Sequence, residues 1–349
     1  MSIHRVAQGA GVSVATVSRV FNDPERVAAS TRIRVLEAAR TLSYLPNQSA
    51  RTLRTQRSRI MGAILPSRDD PVYVECMNGI AAAVLEAGYV LAPIACDSLP
   101  DREADAARWI VASGAEGCVL LVTDVEASAA LPLLGRSGVP YALMHHQDDR
   151  HPCVSIDSRR ALADLVARLE SLGHREIVRL VPQPAFSRVQ EARPGDGTGD
   201  DSAARASRVR HIDMAPGADP VRQIGLLLSS PTRPTALLCT SDLLAIDCLR
   251  AAALQGLQVP RDLTVVGFDG IALGARMFPM LAAVVQPHAA IGRHAVELVL
   301  RAIAGGRAPT AADSLLLPHG MREGESCGPP PFTAHGHPQP GHPAEAALA

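Results

Sequence analysis

A run of thirteen residues near the start of the chain constrains its fold more than any other feature. Residues 10–22 read AGVSVATVSRVFN. Gly11 lies where a tight turn can join two helices, and Ser13 can cap the second helix by accepting a hydrogen bond from the backbone of Thr16. The run predicts a helix-turn-helix, and the apolar period that follows predicts a third helix over residues 30–43.

The helical period assigns a buried and an exposed face to the second helix. Val17 and Val20 share one face, and we expect them to pack on apolar residues of the neighbouring helices. These residues are Val6, Ala7, Val12, Val35, Ala38 and Leu42. The opposite face then points outward, as a helix that reads bases requires. Its residues are Val14, Ala15, Ser18 and Arg19.

Charge separates this head from the rest of the chain. Residues 1–60 contain ten arginines against Asp23, Glu25 and Glu37, a net charge of +7, while the whole chain carries −1. The remainder therefore carries −8. A basic head on an acidic body is the distribution expected when the head alone binds phosphates. We therefore interpret the head as a DNA-binding unit.

The same segment resembles the DNA-binding end of the LacI family of bacterial transcription regulators. The matching stretches are AGVSxxTVSR from Ala10, TRxRV from Thr31 and YxPNxxARxL from Tyr44. One departure is Ala28, which stands where the family often has a Ser or Thr that caps the third helix. A missing cap costs about 1 kcal/mol, which leaves the fold intact.

The resemblance implies a role for each polar residue of the reading helix. Arg19 is the expected base reader, because a guanidinium matches the O6 and N7 acceptors of guanine. Val14 and Ala15 occupy the family's other specificity positions and can contact a thymine methyl group. The remaining members are expected to bond phosphate and fix the docking register. They are Ser13, Thr16, Ser18 and Asn22.

Residues 46–54 resemble the family's hinge helix. Asn47 can cap it, and one turn of helix is marginal alone in water, so we expect it to form only on DNA. In a dimer, two such helices would lie in the minor groove, each pushing Leu53 between base steps. The expected DNA contacts of this segment are Asn47, Ala50, Arg51, Leu53 and Arg54.

The rest of the chain alternates short apolar runs with helical patterns. Strands are predicted over 60–65, 89–95, 117–122, 140–144, 176–181, 236–240, 263–267 and 282–285. Helices are predicted over 74–87, 101–113, 127–136 and 161–172, and from Asp242 and His288. This alternation is typical of an α/β fold with doubly wound parallel sheets, and its length favours two lobes.

The core resembles the family's effector-binding unit, which shares the fold of periplasmic sugar-binding proteins. The matching pieces are GHRxI from Gly173, PTA from Pro234, SDxxA from Ser241 and VVGFD from Val265. We therefore predict a head over residues 1–45, a hinge helix and linker over 46–58, and a two-lobed core over 59–322. Crossovers between the lobes are expected near 157, 285 and 316, and residues 323–349 are predicted to be disordered.

Ligands of such folds bind outside the carboxyl ends of the strands. The candidate effector contacts are therefore the polar and aromatic residues that follow strands. They are Asp70, Val72, Tyr73, His145, Asp242 and Asp269. An Asp carboxylate can accept two hydrogen bonds from the hydroxyl groups of a sugar. For Asp242, a role as the cap of the following helix is the alternative to ligand binding. The family's arginine clamp falls in residues 186–210, where Arg188 and Arg193 are candidates but Pro194 and several glycines interrupt the helix.

Other chemistries find less support. His145, His146, His151 and Cys153 match no tight metal template, so no metal site is predicted. The seven cysteines form no CxxC pair, which fits reduced thiols in the cytoplasm. No signal peptide or membrane span is predicted, and no nucleophile–base constellation or cofactor motif points to an enzyme.

These features predict a repressor that binds a palindromic operator as a homodimer or tetramer. A sugar, sugar acid or similar metabolite between the lobes would act as effector. The alternative is a DNA-binding regulator that has lost effector response, which the interruption at Pro194 favours. A solute-binding transport protein would need a signal peptide and no head.

Overall fold

The structure, a computed structural model, describes residues 2–44, 57–66, 70–97, 99–181, 207–215 and 217–331. The chain divides into two compact units, Met1–Arg59 and Ile60–Ala349. Among the described helices, none is long and apolar enough to cross a membrane. Each unit is presented separately below.

The head is a three-helix unit. Its helices are α1 (Ile3–Ala10), α2 (Val14–Asn22) and α3 (Ala29–Thr41). Gly11 ends α1 at φ +62°, a left-handed conformation that glycine adopts without strain, and Ser13 accepts from the backbone of Thr16 at 3.1 Å. The turn and the cap predicted from the sequence are both confirmed.

A small apolar core holds the three helices together. Its buried members are Val6, Ala7, Ala10, Val17, Val20, Val35 and Ala39. Val12, Ala38 and Leu42, expected in the core, are only partly buried at its edge. Ala39 takes the buried position instead of Ala38, so the buried stripe of α3 is shifted by one residue. Ala28 precedes α3 without a side-chain cap, as its apolar side chain requires.

The second unit contains two six-stranded sheets, which define two lobes. In chain order the strands are β1 (Ile60–Leu65), β2 (Val90–Ala95), β3 (Gly117–Leu120), β4 (Tyr141–Met144), β5 (Cys153–Ile156), β6 (Glu176–Val181), β7 (Arg208–Asp213), β8 (Ala236–Cys239), β9 (Thr264–Gly267), β10 (Ala282–Val285), β11 (Leu315–Leu317) and β12 (Gly320–Arg322). The first sheet has the order β11-β5-β4-β3-β1-β2, and the second β12-β10-β9-β8-β6-β7. Every pairing is parallel except that of β10 with β12.

Helices connect the strands in both lobes. They are α4 (Pro71–Glu86), α5 (Pro100–Ala112), α6 (Ala130–Arg136), α7 (Ser158–Ser171), α8 (Pro220–Leu228), α9 (Asp242–Leu254) and α10 (His288–Gly305). The chain passes between the two sheets three times: after β5, after β10 and between β11 and β12. The predicted fold class, an α-helical head before two doubly wound α/β lobes, is confirmed.

Helices α4 and α10 approach each other so closely that their backbones touch. A Cβ atom added at Gly79 would lie 1.8 Å from the carbonyl oxygen of Ala289, and one added at Gly292 would lie 2.4 Å from that of Cys76. Only glycine fits at either position. The contact therefore fixes Cys76 on α4 relative to the start of α10.

The prediction that disorder begins at residue 323 is wrong for residues 323–331. Ser326 is fully buried, and its hydroxyl accepts from the backbone of Ala282 and donates to the carbonyl of Val265. His174 bonds Thr235 and the carbonyl of Gly328 at 2.8 Å. The segment is poor in apolar residues, but backbone bonds hold it. Residues 332–349 lie outside the described part of the chain.

Candidate functional site

The outward face of α2 is the first candidate site. Ser13, Ala15 and Arg19 are exposed, and Thr16 is half-buried. Arg19 lies in the last turn of the helix, where its guanidinium stays in water. An exposed arginine between small side chains leaves room for the helix to approach a groove edge. This face can therefore donate hydrogen bonds to base edges.

Three residues that were predicted to point outward or to contact phosphate also make contacts within the head. Val14 is half-buried and packs against the head core. The side-chain amide of Asn22 donates to the carbonyl of Ser18 at 2.6 Å and to its hydroxyl at 3.3 Å. Val14 and Ser18 thus point less fully outward than predicted. The side-chain amide nitrogen of Asn22 thus donates to two acceptors within α2.

The hinge-helix contacts cannot be placed. Asn47, Ala50, Arg51, Leu53 and Arg54 lie outside the described residues. So do Arg188 and Arg193, the two candidates for the ligand clamp. Their roles stay predictions.

The second candidate site lies at the carboxyl ends of the strands in the second unit. Val72 and Tyr73 follow β1 and are buried in the first turn of α4. Asp70 caps that helix, because its Oδ1 accepts from the backbone of Val72 at 2.9 Å. Asp242 and Asp269 follow β8 and β9 in the other lobe and are also buried. All of the described candidates therefore lie at strand ends, as expected from the topology.

Asp242 holds the loop after β9. Its two carboxylate oxygens accept from the backbone N–H groups of Asp269 at 3.1 Å and Ile271 at 2.9 Å, and Arg322 lies 3.4 Å away. Burial, together with the nearby Asp269 carboxylate, raises the pKa of Asp242 to about 6. Ser241, not Asp242, caps α9. The carboxylate is thus engaged within the protein.

Asp269 links this loop to a group of buried polar side chains. Its Oδ2 accepts from the backbone of Asp242 at 3.2 Å, and its Oδ1 accepts from the side-chain amide of Gln286 at 3.3 Å. Gln286 also donates to the carbonyl of Phe268 at 2.9 Å. The amide of Gln286 is therefore oriented with its oxygen pointing away from these acceptors.

His145 lies on the other side of Gln286. Its Nδ1 is 3.2 Å from Gln286 Oε1, and its Nε2 is 3.3 Å from both Cys76 Sγ and His288 Nδ1. His145 has φ +60°, a left-handed conformation that is uncommon for a residue with a side chain and marks a constrained position. We name Cys76, His145 and His288 the interlobe triad.

Sequence reasoning missed Cys76, Gln286 and His288. Two signals were available: Cys76 is one helical turn after Val72, and Gln286 and His288 directly follow strand β10. The neighbouring histidines make hydrogen bonds outside the triad. His146 bonds the carbonyl of Val122 at 2.9 Å, and His151 bonds the hydroxyl of Tyr141 at 2.8 Å.

Comparisons with known proteins identify the family of each part of the chain. A model of the family described as bacterial regulatory proteins, lacI family, matches residues 2–47, and one described as a periplasmic binding protein-like domain matches residues 166–327. The HTH-type transcriptional repressor CytR of Escherichia coli (strain K12) is 31% identical over 312 residues, covering 86% of this chain and 89% of CytR. Catabolite control protein A of Priestia megaterium is 30% identical, covering 86% and 92%.

Solved structures show the same fold. The crystal structure of the Lac repressor dimer bound to operator and the anti-inducer ONPF matches with a TM-score of 0.78 at 22% identity, covering 93% of this chain and 98% of that one. A transcriptional regulator CelR–cellobiose complex matches with a TM-score of 0.64 at 24% identity, covering 94% and 100%.

Proposed function

The chain belongs to the LacI family of bacterial regulatory proteins and is a DNA-binding transcriptional regulator, not an enzyme; on this premise we propose that it represses transcription from a near-palindromic operator. It binds this operator as a homodimer, and a small molecule held between its lobes controls the binding. Operator binding would take place in the cytoplasm, on the chromosome.

The observation that carries the operator proposal is the exposed face of α2. Arg19 stands on a helix whose start is capped by Ser13 and whose opposite side is anchored by Val17 and Val20. A rigid helix with one exposed guanidinium can read a guanine in the major groove. Phosphate contacts from the basic head would supply most of the affinity.

Two-fold symmetry follows from the size of the reading surface. One short helix contacts few base pairs, so a single head discriminates poorly between sequences. Two heads on one duplex double the contacts and require an inverted repeat. The relative CytR is named a repressor, and the matched Lac repressor structure is a dimer on operator, which supports both parts of the proposal.

The proposed effector is a sugar, sugar acid or similar metabolite. Asp70, Val72, Tyr73, His145 and Asp269 lie where the strands of the two lobes end, so a ligand there would contact both lobes. A ligand that fits one closure better than another shifts the equilibrium between closures, and with it the affinity for DNA. The relative named as a cellobiose complex supports this ligand class.

One observation favours the alternative, a regulator without effector response. The oxygens of Asp242 and Asp269 already accept hydrogen bonds from backbone N–H groups and from Gln286. A ligand would have to compete with these internal donors. We therefore treat effector loss as the second candidate.

The operator proposal is tested by selecting duplexes from a random library with the full-length protein at moderate salt. We expect an inverted repeat to be enriched and the complex to contain two chains, measured by analytical ultracentrifugation. Enrichment of a sequence without two-fold symmetry, or of none, would contradict the proposal.

The effector proposal needs a separate experiment. The selected duplex is titrated with protein in the presence of panels of sugars and sugar acids, and binding is followed by fluorescence anisotropy. We expect at least one compound to change the affinity by about 5–150-fold, the range of typical allosteric coupling. If no compound changes it while operator binding stands, the effector-blind alternative holds.

A further inference from the structure

We propose that the interlobe triad binds a transition-metal ion of the zinc class through the thiolate of Cys76 and the imidazoles of His145 and His288. The site shares His145 with the proposed sugar site, but its ligand and its test are independent of sugar and operator binding. It lies where α4, the end of β4 and the start of α10 meet.

The ligand atoms of the triad are already near the spacing that such an ion needs. Sγ of Cys76 and the two inner imidazole nitrogens all lie within 4.8 Å of one another, and two of the three separations are 3.3 Å. In a tetrahedral zinc site with Zn–N of about 2.1 Å and Zn–S of about 2.3 Å, ligand atoms are about 3.3–3.6 Å apart. Two edges of the ligand triangle therefore need little adjustment.

The outer nitrogen of His288 fixes the proton on that ring. Nε2 of His288 is 2.9 Å from the carbonyl oxygen of Asp269, which can only accept. Nε2 therefore carries a proton, which makes Nδ1, the nitrogen that faces His145, the available metal-binding atom of this ring. A histidine whose outer N–H donates to a carbonyl is the usual arrangement of a metal ligand.

The outer nitrogen of His145 is fixed in the same way. Because Gln286 donates its amide N–H groups to Phe268 and Asp269, its oxygen faces Nδ1 of His145 and accepts a proton there. Nε2 of His145 then presents its lone pair to Cys76 and His288. Both histidines are thus oriented by acceptors on the second lobe.

The two inner nitrogens lie 3.3 Å apart, close enough for one ion to contact both. A cation that replaces the thiol proton of Cys76, which leaves to solvent, would be bound by the resulting thiolate and by both nitrogens.

The supporting framework is rigid at these residues. Gly79 and Gly292 bring the backbones of α4 and α10 into contact at Cys76 and Ala289, directly beside His288. The triad is also buried, with exposed fractions of 0% for Cys76, 4% for His145 and 1% for His288. Ligands held in place before binding lose little conformational entropy when the ion arrives.

The donor set selects the kind of ion. One thiolate and two imidazoles suit Zn²⁺ and related ions, whereas Mg²⁺ and Ca²⁺ prefer oxygen ligands. Three protein ligands leave a fourth position for water or another small ligand. Because the acceptors Asp269 and Gln286 belong to the second lobe, the ion would also tie the two lobes together.

The test uses the full-length chain with His335, His337 and His342 replaced by alanine. These tail histidines lie outside the described residues and could bind metal on their own. Titration with Zn²⁺ by calorimetry should show one ion per chain and a raised melting temperature. Titration with Co²⁺ should give a thiolate-to-cobalt charge-transfer band, which requires a cysteine ligand.

Substitutions then identify the ligands. Cys76→Ser should abolish the charge-transfer band, and His145→Gln and His288→Gln should each weaken Zn²⁺ binding by at least about tenfold. Cys118→Ala is the matched control, because Cys118 is a buried thiol in β3 outside the triad, and it should keep the band. Circular dichroism confirms that each variant is folded.

Two results would overturn the proposal: no stoichiometric uptake of Zn²⁺ or Co²⁺ by the tail-substituted chain, or a charge-transfer band that survives Cys76→Ser. The first readout uses the unaltered triad, so a variant that fails to fold cannot obscure it. Neither result depends on operator or sugar binding, so failure here is distinct from failure of the proposed function.

Discussion

The head and the two-lobed unit differ in where they place their polar and charged side chains. Every buried residue in the described part of the head is apolar, and the described arginines there are exposed except Arg32, which is half-buried. The second unit buries His145, Asp242, Asp269, Gln286 and His288. Exposed charge costs little in stability and is available to an outside partner, whereas buried charge must be satisfied internally. The head is therefore built to bind a large anion, and the second unit to hold small polar groups.

The largest expected effect tests whether the two units fold independently. Val17→Asp places an unpaired carboxylate in the head's small core, at a fully buried position. We expect a cost of about 3–5 kcal/mol, enough to unfold the head and reduce operator affinity more than a hundredfold. Calorimetry should show the transition of the second unit at its original temperature.

The matched control is Leu36→Asp, at a 46% exposed position of α3. It should leave the head folded. If Val17→Asp also lowered the melting temperature of the second unit, the two units would be energetically coupled and the comparison would fail.

The second-largest expected effect is the loss of stability when the close contact between α4 and α10 is disrupted. Gly79→Ala forces a methyl group against the carbonyl of Ala289, so α4 and α10 must separate. We expect about 3 kcal/mol or more of lost stability, measured by chemical denaturation of the second unit. Gly135→Ala on α6 is the control, because its Cβ would meet nothing within 4 Å. Gly135→Ala should stabilise the second unit slightly. Equal losses of stability in both variants would refute the close contact between α4 and α10.

The buried carboxylates predict a pH dependence confined to the second unit. The pKa of Asp242 is raised from 3.8 to about 6, mainly by burial, so the folded chain holds this proton more tightly than the unfolded chain. Its contribution to stability is full below about pH 4 and is lost as the pH rises through about 6. The loss is about 3 kcal/mol at most.

Denaturation of the second unit between pH 4 and 7 measures this decline. Asp242→Asn should flatten it, whereas Asp262→Asn should not, because Arg261 lowers the pKa of Asp262 instead. An unchanged slope in Asp242→Asn would show that other groups cause the decline.

A smaller effect distinguishes base-specific recognition by the head from its electrostatic attraction to any DNA. Arg19→Ala should cost about 1–3 kcal/mol of operator binding and relax the preference at one base pair of each half-site. The selected duplex and single-base variants of it, compared by anisotropy, measure both. Arg136→Ala, an exposed arginine of the second unit, is the control. An unaltered base preference in Arg19→Ala would remove Arg19 from the reading face.

The smallest effect concerns the caps of the head helices. Ala28→Ser should give α3 the side-chain cap it lacks and raise the head's stability by about 1 kcal/mol. Ser13→Ala should lower it by a similar amount through α2. Thermal unfolding of the head measures both, and changes of the same sign would contradict the assignment of caps.

The sequence predicts the head well because its determinants are close together in the chain. Gly11, Ser13 and Thr16 act across at most a few residues, and the helical period places Val17 and Val20 correctly. The shift from Ala38 to Ala39 on α3 shows the limit of this reasoning. The burial stripe of a helix depends on how it packs, which the period alone leaves uncertain by one residue.

The candidate site in the second unit was found only in part. Strand ends pointed to His145 and Asp269, but the contacts of His145 with Cys76 and His288 join residues 69 and 143 positions apart. Nothing local in the sequence marks such pairs. Strands β5, β7, β11 and β12 were missed. β5 and β7 place polar residues within a short run, Ser155 in one and alternating charges in the other, and β11 and β12 are only three residues long.

The three connections between the lobes all lie near the same edge of the two sheets in the second unit. Strands β11 and β12 form that edge of each sheet, and β5 and β10 stand beside them. Only Pro318 and His319 separate β11 from β12, a span of about 10 Å even when fully stretched. This short connection limits how far the lobes can separate at this edge. If the lobes open, the separation would be largest at the opposite edge, near β2 and β7, and a compound would enter from that side.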